Sequence, residues 1–455
     1  MKNRPTRSTF LHRLNYFTDQ IRQNIHSGTF GVGTYLPAER ELAAQYQLSK
    51  ASIRRGLEEL SKEGLIEKIP RVGNRVVGVG VVEKTILRFA CHQSLIDEAA
   101  IEPLIQRFER ENPDIQIQFI PIPYQQYIES IDHYVDNDFI DILSINYDQY
   151  MEFVESNRLH LLAPQEPDSY LYPFIQNGFV YQDILYAKPF IFSPVILCYN
   201  REHFLKEQIP EPDSFWSWET LMETAYRLSD QGERYGFYFH LLSQNRWPVF
   251  LLQNGYRYDE KDQPDQAELF LESMTLCKKL ITGQRVKTPL IADQDFYAEN
   301  LFMKEKASII MTTYFNLNYL LNSHIPFEIA PLPSIKQPCT LLLTLGLSVL
   351  NTSPRKEIAQ RFVNYLTQYE SQLYIRQHSM SIPAHQLAAE WVGESKIYQP
   401  KRFFMYREII PSFQYYSQLG MTPRHLMSLR NELSYFWSGL SDGSDLLEAL
   451  KEISK

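Results

Sequence analysis

Residues 36–55, LPAERELAAQYQLSKASIRR, constrain this chain more than any other stretch. They read as a helix over 38–46, a turn at Gln47 and Leu48, and a second helix with Ser49 at its N-cap. Ile53, Leu57 and Leu60 recur at i, i+4 and i+7 and mark the stripe that the second helix buries. Lys50, Ala51, Ser52 and Arg54 are thereby assigned to an exposed leading turn. Two cations and a short hydroxyl in that position are what a helix needs to meet phosphates and base edges in a DNA groove.

The flanks extend the pattern. Leu14, Phe17, Ile21 and Ile25 mark an amphipathic helix that Gly28 ends. Gly64 closes the second helix of the pair, and 65–69 and 75–77 read as two short strands around a glycine-containing turn. Together these elements make a winged helix-turn-helix. The segments LPAERELA, LSKASIRRGLEEL, EGLIEK and RVGNRVV resemble the DNA-binding domain of the GntR family of bacterial transcription regulators over roughly residues 10–80. The resemblance implies DNA contacts at Arg40, Lys50, Ser52 and Arg54, with the wing turn near Arg71 and Gly73 reaching the groove edge. Three positions depart from the family's usual pattern: Ala38 where a Ser cap is common, Lys50 where Arg is usual, and Arg71 where the first wing glycine is common. A lysine offers a point charge rather than a fork, which suits phosphate contact better than bidentate base readout.

At 455 residues the chain exceeds one ordinary core, and its charge is split. Residues 1–80 hold 13 Lys+Arg against 7 Asp+Glu, a balance of +6, while the remaining 375 hold 32 against 47, a balance of -15. A basic module suited to a polyanion is fused to an acidic body that DNA would repel. Cys91, Cys198, Cys277 and Cys339 stand singly, without metal-ligand or Cys-x-x-Cys spacing, and read as buried thiols of a reducing compartment. The basic N-terminal stretch lacks the apolar run of a signal peptide, and nothing later reaches the length of a membrane span, so the expectation is a soluble cytoplasmic protein. Residues 78–85, GVGVVEKT, carry a short linker, which divides the chain into 1–79, a joint at 80–85, and 86–455.

Beyond the linker the pattern becomes strand over 86–90, helix over 97–110, strand over 115–120, helix over about 124–136 and strand over 140–145. This βαβαβ run predicts a parallel sheet covered by helices on both faces, with ligands at the carboxyl ends of the strands. Collinear segments, RFERENPDIQIQFIP, DILSIN, YAKPFIFSPVILCYN, YGFYFH, NRWPVFLLQNGYRYDE, LFMKEKASIIMTTYF, FEIAPLP and RKEIAQRFVNYLTQYESQ, resemble the extracellular solute-binding proteins of ABC importers, the family that includes maltose-binding protein. The likeness spans roughly residues 85–430 and implies two α/β lobes that close on a ligand, most naturally a sugar. Lys304-Glu305-Lys306-Ala307 departs from the small Gly-Lys-Ala stretch common there. His92, Gln93, Asn146, Asp148 and Arg246 are the polar candidates for the pocket, with Trp247, Tyr314 and Phe315 as aromatic faces for sugar rings. Trp216 and Trp218 read instead as a structural helix start, and most of the 29 Tyr and 27 Phe must be core.

No Schiff-base lysine context, nucleophile elbow, phosphate loop or dinucleotide fingerprint is present, which argues against an aminotransferase-like or other enzymatic domain, a cofactor or a metal. The expectation is a regulator in which a solute held in the clamp modulates operator binding, as a homodimer on an inverted repeat of double-stranded DNA. Two alternatives stay open at this point: a large domain that serves only as a dimerisation scaffold, and a clamp for an amino acid, peptide or polyamine. Residues 400–455 offer aromatic pairs suited to packing on a lobe and a final amphipathic helix over 445–453.

Overall fold

In a computed structural model the described residues are 7–26, 28–70, 72–77, 84–122, 127–135, 139–230, 234–260, 263–285 and 296–453. The chain forms two compact units, Met1–Thr85 and Ile86–Lys455. The linker expected at 80–85 falls largely outside the described residues.

The first unit is a winged helix. Helix Arg7–His26 supplies Leu14, Phe17, Ile21 and Ile25 to one side of a small core, and helices Glu39–Gln45 and Lys50–Lys62 supply Leu42, Ile53, Leu57 and Leu60 to the other. The turn between the paired helices relies on Gln47, which adopts a left-handed φ of 52°. Strands Ile66–Ile69 and Gly73–Val76 form the wing hairpin, paired from Ile66 with Val76 to Ile69 with Gly73. The second strand thus begins two residues earlier than the alternation predicts, because Gly73 at φ 148° lets the chain re-enter the ladder straight after the turn. Ala38 brings no side-chain cap to its helix. Its backbone N–H instead donates to the Glu41 carboxylate at 3.2 Å. Gly56 marks where two helices touch: a Cβ there would lie 2.7 Å from Cε1 of Phe17, a ring that is fully buried.

The second unit is a two-lobed α/β structure built on one 10-stranded sheet among the described residues. In the first lobe, strand Thr85–Cys91 lies between Ile115–Pro121 and Ile142–Asn146, pairing in parallel with the latter, as the βαβαβ reading requires. The helix expected over 97–110 is two helices, Leu95–Ala99 and Glu102–Glu111, separated by Ala100 at φ 46°. Pro103 explains the break, since it has no N–H to continue the first helix and its ring would strike the Ala99 carbonyl. In the second lobe, strand Ala307–Thr313 pairs in parallel with Tyr235–Tyr238.

Two long strands cross between the lobes. Lys188–Asn200 is buried along its whole length. Its early residues pair with Thr340–Val349, and its later ones with Ala307–Thr313 and Phe327–Ala330. Thr340–Val349 in turn pairs with Ile142–Asn146 of the first lobe. The register between the crossing strands slips at Leu345 and Gly346, a bulge placed where the second strand enters the first lobe.

The C-terminal segment closes the second lobe. Helices Pro423–Ser428, Arg430–Ser438 and Gly443–Glu452 bury Leu426, Leu433, Trp437, Leu446 and Leu450 in the same core as helix Pro264–Thr282. Trp437 Nε1 donates to the Met274 carbonyl at 3.1 Å. Ser217 caps helix Trp218–Leu228, and Trp218 is fully buried with its Nε1 donating to Gln253 at 2.8 Å, so this pair of tryptophans opens a helix as expected. All four cysteines are free and buried.

Gly56→Ala is expected to lower the stability of the winged helix by about 1–3 kcal/mol through overpacking against Phe17, despite the better helix propensity of alanine. Thermal melting of the variant checks this, and an unchanged or raised Tm would contradict the close approach.

Candidate DNA-binding face and ligand cleft

Helix Lys50–Lys62 starts at Ser49, whose Oγ accepts the Ser52 N–H at 3.1 Å. This arrangement leaves Lys50, Ala51, Arg54 and Arg55 exposed on the leading turns. Ser52 requires a correction: it is only 6 % exposed, and its Oγ lies 2.7 Å from that of Ser49. The hydroxyl expected to meet DNA stabilises the cap instead. Arg55, which the sequence reading does not single out, is exposed on the same helix. Arg54 Nε donates to Glu39 at 2.8 Å, an exposed ion pair that costs little to exchange for a phosphate. Arg40 is exposed in the first turn of the preceding helix. Gly73 serves the backbone of the wing, where its positive φ would strain any other residue. Arg71 lies outside the described residues.

In the second unit, strand ends from both lobes converge on one cavity of about 190 Å³. That is smaller than the roughly 300–1,000 Å³ of sites for drug-sized ligands, so it suits a compact solute. The first lobe contributes His92, Ser94 and Glu98 after strand Thr85–Cys91, and Asn146, Tyr147 and Asp148 at the end of Ile142–Asn146. The second lobe contributes His240, Asn245 and Arg246 after Tyr235–Tyr238, Phe296 and Glu299 around the start of helix Tyr297–Met303, and Phe315 and Asn316 after Ala307–Thr313. Leu341 to Leu345 of the crossing strand and Tyr416 complete the lining.

Five of the eight predicted ligand residues are therefore brought together: His92, Asn146, Asp148, Arg246 and Phe315. Three are not, and they are corrections. Trp247 is 1 % exposed and packs in the core of the second lobe. Tyr314 has no exposed surface; its OH donates to the Phe403 carbonyl at 2.9 Å. Each is the chain neighbour of a lining residue, Arg246 or Phe315, in a turn that sends one side chain to the cavity and the next to the core. Gln93 is exposed outside the cavity lining. Glu98, Glu299, His240, Phe296 and Tyr416 were missed. For Glu98 a signal existed, namely an acidic residue in the first helical turn after a strand end. For Tyr416 there was none, because it arrives from a segment remote in sequence.

Several polar groups in the cleft are already engaged. Asn146 Oδ1 accepts the Gln149 N–H at 2.8 Å as a helix cap. Arg246 donates from Nε to the Met311 carbonyl at 3.2 Å and from Nη1 to the Asn245 carbonyl at 3.1 Å. His92 Nδ1 accepts the Ser94 N–H at 3.2 Å, which leaves the proton of the neutral ring on Nε2. Tyr147 stacks on Tyr415 with ring centroids 3.9 Å apart and shares a 2.7 Å hydrogen bond with Ser417, tying the first lobe to the C-terminal segment. Burial raises the Glu98 carboxyl to about 7, and Asp97 adds to the shift while a hydrogen bond from Ser94 opposes it. Burial likewise raises Asp148 to about 7, with Glu152 adding to it. Among the described residues no three His, Cys, Asp or Glu side chains are placed to hold a metal ion.

Two predictions follow from this geometry. Because the folded Glu98 and Asp148 bind protons that the unfolded chain has released above about pH 4, their contribution to stability falls as pH rises from about 4 to 7. The buried histidines His203 and His385 have lowered pKa values and act in the opposite sense, so the comparison must be with a variant. Glu98→Gln with Asp148→Asn is expected to gain Tm relative to wild type between pH 5 and pH 7.5. A difference independent of pH would show that the two carboxyls are not held neutral. Trp247→Ala is expected to cost about 3–5 kcal/mol of stability, as for any large core truncation, and chemical denaturation measures it.

Similarity to known proteins agrees with both units. Residues 93–373 match the model described as bacterial extracellular solute-binding protein, and residues 17–76 match that of bacterial regulatory proteins, gntR family. The histidine utilization repressor of Klebsiella aerogenes is 41% identical over 56 residues, which are 12% of this chain and 23% of that protein. The chain spans only 13% to 26% of the length of the helix-turn-helix regulators it matches. A galactooligosaccharide-binding protein of Bacillus subtilis is 22% identical over 303 residues, 62% of this chain and 69% of that protein. The solved structure of an ABC substrate-binding protein from Listeria monocytogenes in complex with cycloalternan superposes with a TM-score of 0.69 at 18% identity, covering 82% of this chain and 98% of that one. The chain thus belongs, through its large two-lobed unit, to the bacterial extracellular solute-binding protein family and carries a GntR-family winged helix-turn-helix at its N-terminus.

Proposed function

We propose that this protein is a transcription regulator whose DNA binding responds to a sugar or small oligosaccharide held between the two lobes. The observation that carries the reading is the union in one chain of a GntR-type winged helix with a clamp whose cavity is lined by polar groups and aromatic rings from both lobes. The sugar class is supported by the relatives, whose names specify galactooligosaccharide and cycloalternan. A protein with this module works where DNA is, in the cytoplasm, and among the described residues no helix is long and apolar enough to cross a membrane. One winged helix covers a half-site, so the active form is a homodimer on an inverted repeat. Lys50, Arg54 and Arg40 contact the DNA, with Arg55 as a further phosphate partner. Neither family is one of enzymes, and the cleft acts by binding alone.

The test is a binding titration with an operator selected from random duplexes, with and without each member of a sugar panel. A solute that favours one lobe arrangement need supply only about 1–3 kcal/mol of coupling to change operator affinity about 5- to 150-fold. A sugar that raises Tm and shifts operator affinity within that range supports the proposal. Sugar binding with no effect on DNA would reduce the large unit to a scaffold. Arg54→Ala is expected to weaken operator binding about tenfold or more, a loss of about 1–3 kcal/mol, while leaving ligand binding unchanged. Normal operator affinity in a folded Arg54→Ala protein would misplace the recognition helix.

A further inference from the structure

Among the described residues three carboxyl groups line the cleft, from three helices and from both lobes: Glu98 on Leu95–Ala99, Asp148 on Tyr147–Glu155 and Glu299 on Tyr297–Met303. Glu98 and Glu299 are buried and Asp148 is half-buried, open to the cavity. Glu299 Oε1 already accepts hydrogen bonds from Thr312 at 2.5 Å and Asn316 at 3.0 Å. Facing these acids, among the described lining residues, is one guanidinium, Arg246, whose Nε and Nη1 donate to main-chain carbonyls. The His92 ring is neutral when its Nδ1 accepts the Ser94 N–H. The buried OH of Tyr416 has no hydrogen-bond partner among the described residues and borders the same cavity.

This balance is wrong for an anion and expensive for a wholly neutral solute. A neutral ligand that seals the cleft leaves like charges buried together, or leaves carboxyls that must stay protonated. A cation removes both costs, and a carboxylate-to-ammonium hydrogen bond is roughly twice as strong as a neutral one. The acids are spread around the cavity rather than converging as a metal ion needs. Phe296 and Phe315 offer aromatic faces for the apolar side of a ring. We propose that the solute is a basic amino sugar, its protonated amine directed to the Asp148 and Glu98 carboxyls and its hydroxyls to Tyr416 and Asn316. This rests on the sugar reading given above and narrows it to one chemical class.

The experiment measures the Tm of the full chain at pH 7 against glucosamine and its two-ring β-1,4-linked dimer, with the N-acetylated forms of both, glucose and spermidine as comparisons. Glucose keeps the ring and loses the charge; spermidine keeps the charge and loses the ring. The expected result is stabilisation by an amine-bearing sugar at a concentration at least tenfold below that needed for its N-acetylated form or for glucose. Asp148→Asn and, separately, Glu98→Gln should reduce that preference at least threefold, while a non-specific attraction of amines to the acidic body would survive both changes and overturn the assignment. Equal or better binding of glucose or an N-acetylated form would also overturn it, yet would leave the clamp a sugar site. Stabilisation by spermidine alone would contradict both the amino-sugar assignment and the sugar reading. No shift with any of the six overturns the amino-sugar assignment, and the wider sugar panel then decides the sugar reading.

Discussion

Everything in the large unit depends on the antiparallel pairing of two long strands, Lys188–Asn200 with Thr340–Val349. Each strand belongs to both lobes, so the sheet passes from one lobe to the other without an edge between them. The pairing sets where the carboxyl ends of the short strands arrive, and those ends carry His92, Asn146, Asp148, Arg246 and Phe315. It also provides the floor of the cleft through Leu341 to Leu345. A bulge at Leu345 and Gly346 is the one irregularity in this pairing, and at Gly346 a Cβ would come within 3.0 Å of Ala187.

Electrostatics divides the chain between two tasks. The winged helix places Lys50, Arg54 and Arg55 on one exposed face, each free of burial cost. The cleft does the opposite: it removes Glu98 from water and restricts Asp148, so that burial holds both near 7. Such groups destabilise an empty site and are retained where a ligand compensates them. The C-terminal segment reinforces the arrangement. Tyr415 stacks on Tyr147, the residue beside Asp148, and Tyr416 meets Tyr147 edge-on at 5.5 Å.

Much of this was legible in the sequence where the signal is local. The spacing of Ile53, Leu57 and Leu60, the Ser49 cap and the glycines after the first and third helices, Gly28 and Gly64, define the winged helix, because its small core forms within one stretch of chain. The βαβαβ order was legible for the same reason, apart from the break at Ala100 that Pro103 enforces. The cleft was legible only in part. Strand ends mark which turns reach it, but one-residue parity decides which side chain enters, and periodicity does not resolve parity in an irregular turn. Trp247 and Tyr314 fell to the core side, while Arg246 and Phe315 fell to the cavity. Ser52 failed for a related reason, since its hydroxyl found a local partner in Ser49 before any DNA could. The Lys304-Glu305 departure has a physical counterpart: Glu305 adopts φ 55°, the left-handed turn that glycine would take without strain.

The central claim is that one equilibrium links the cleft to the DNA-binding face. Linkage requires that coupling be reciprocal. The most direct measurement is therefore the affinity of the cleft for its solute, determined by calorimetry on the full chain with and without a saturating operator duplex. The account predicts that operator changes solute affinity by the same factor, and in the same direction, as solute changes operator affinity. Solute affinity that is indifferent to operator, in a protein that binds both, would contradict it.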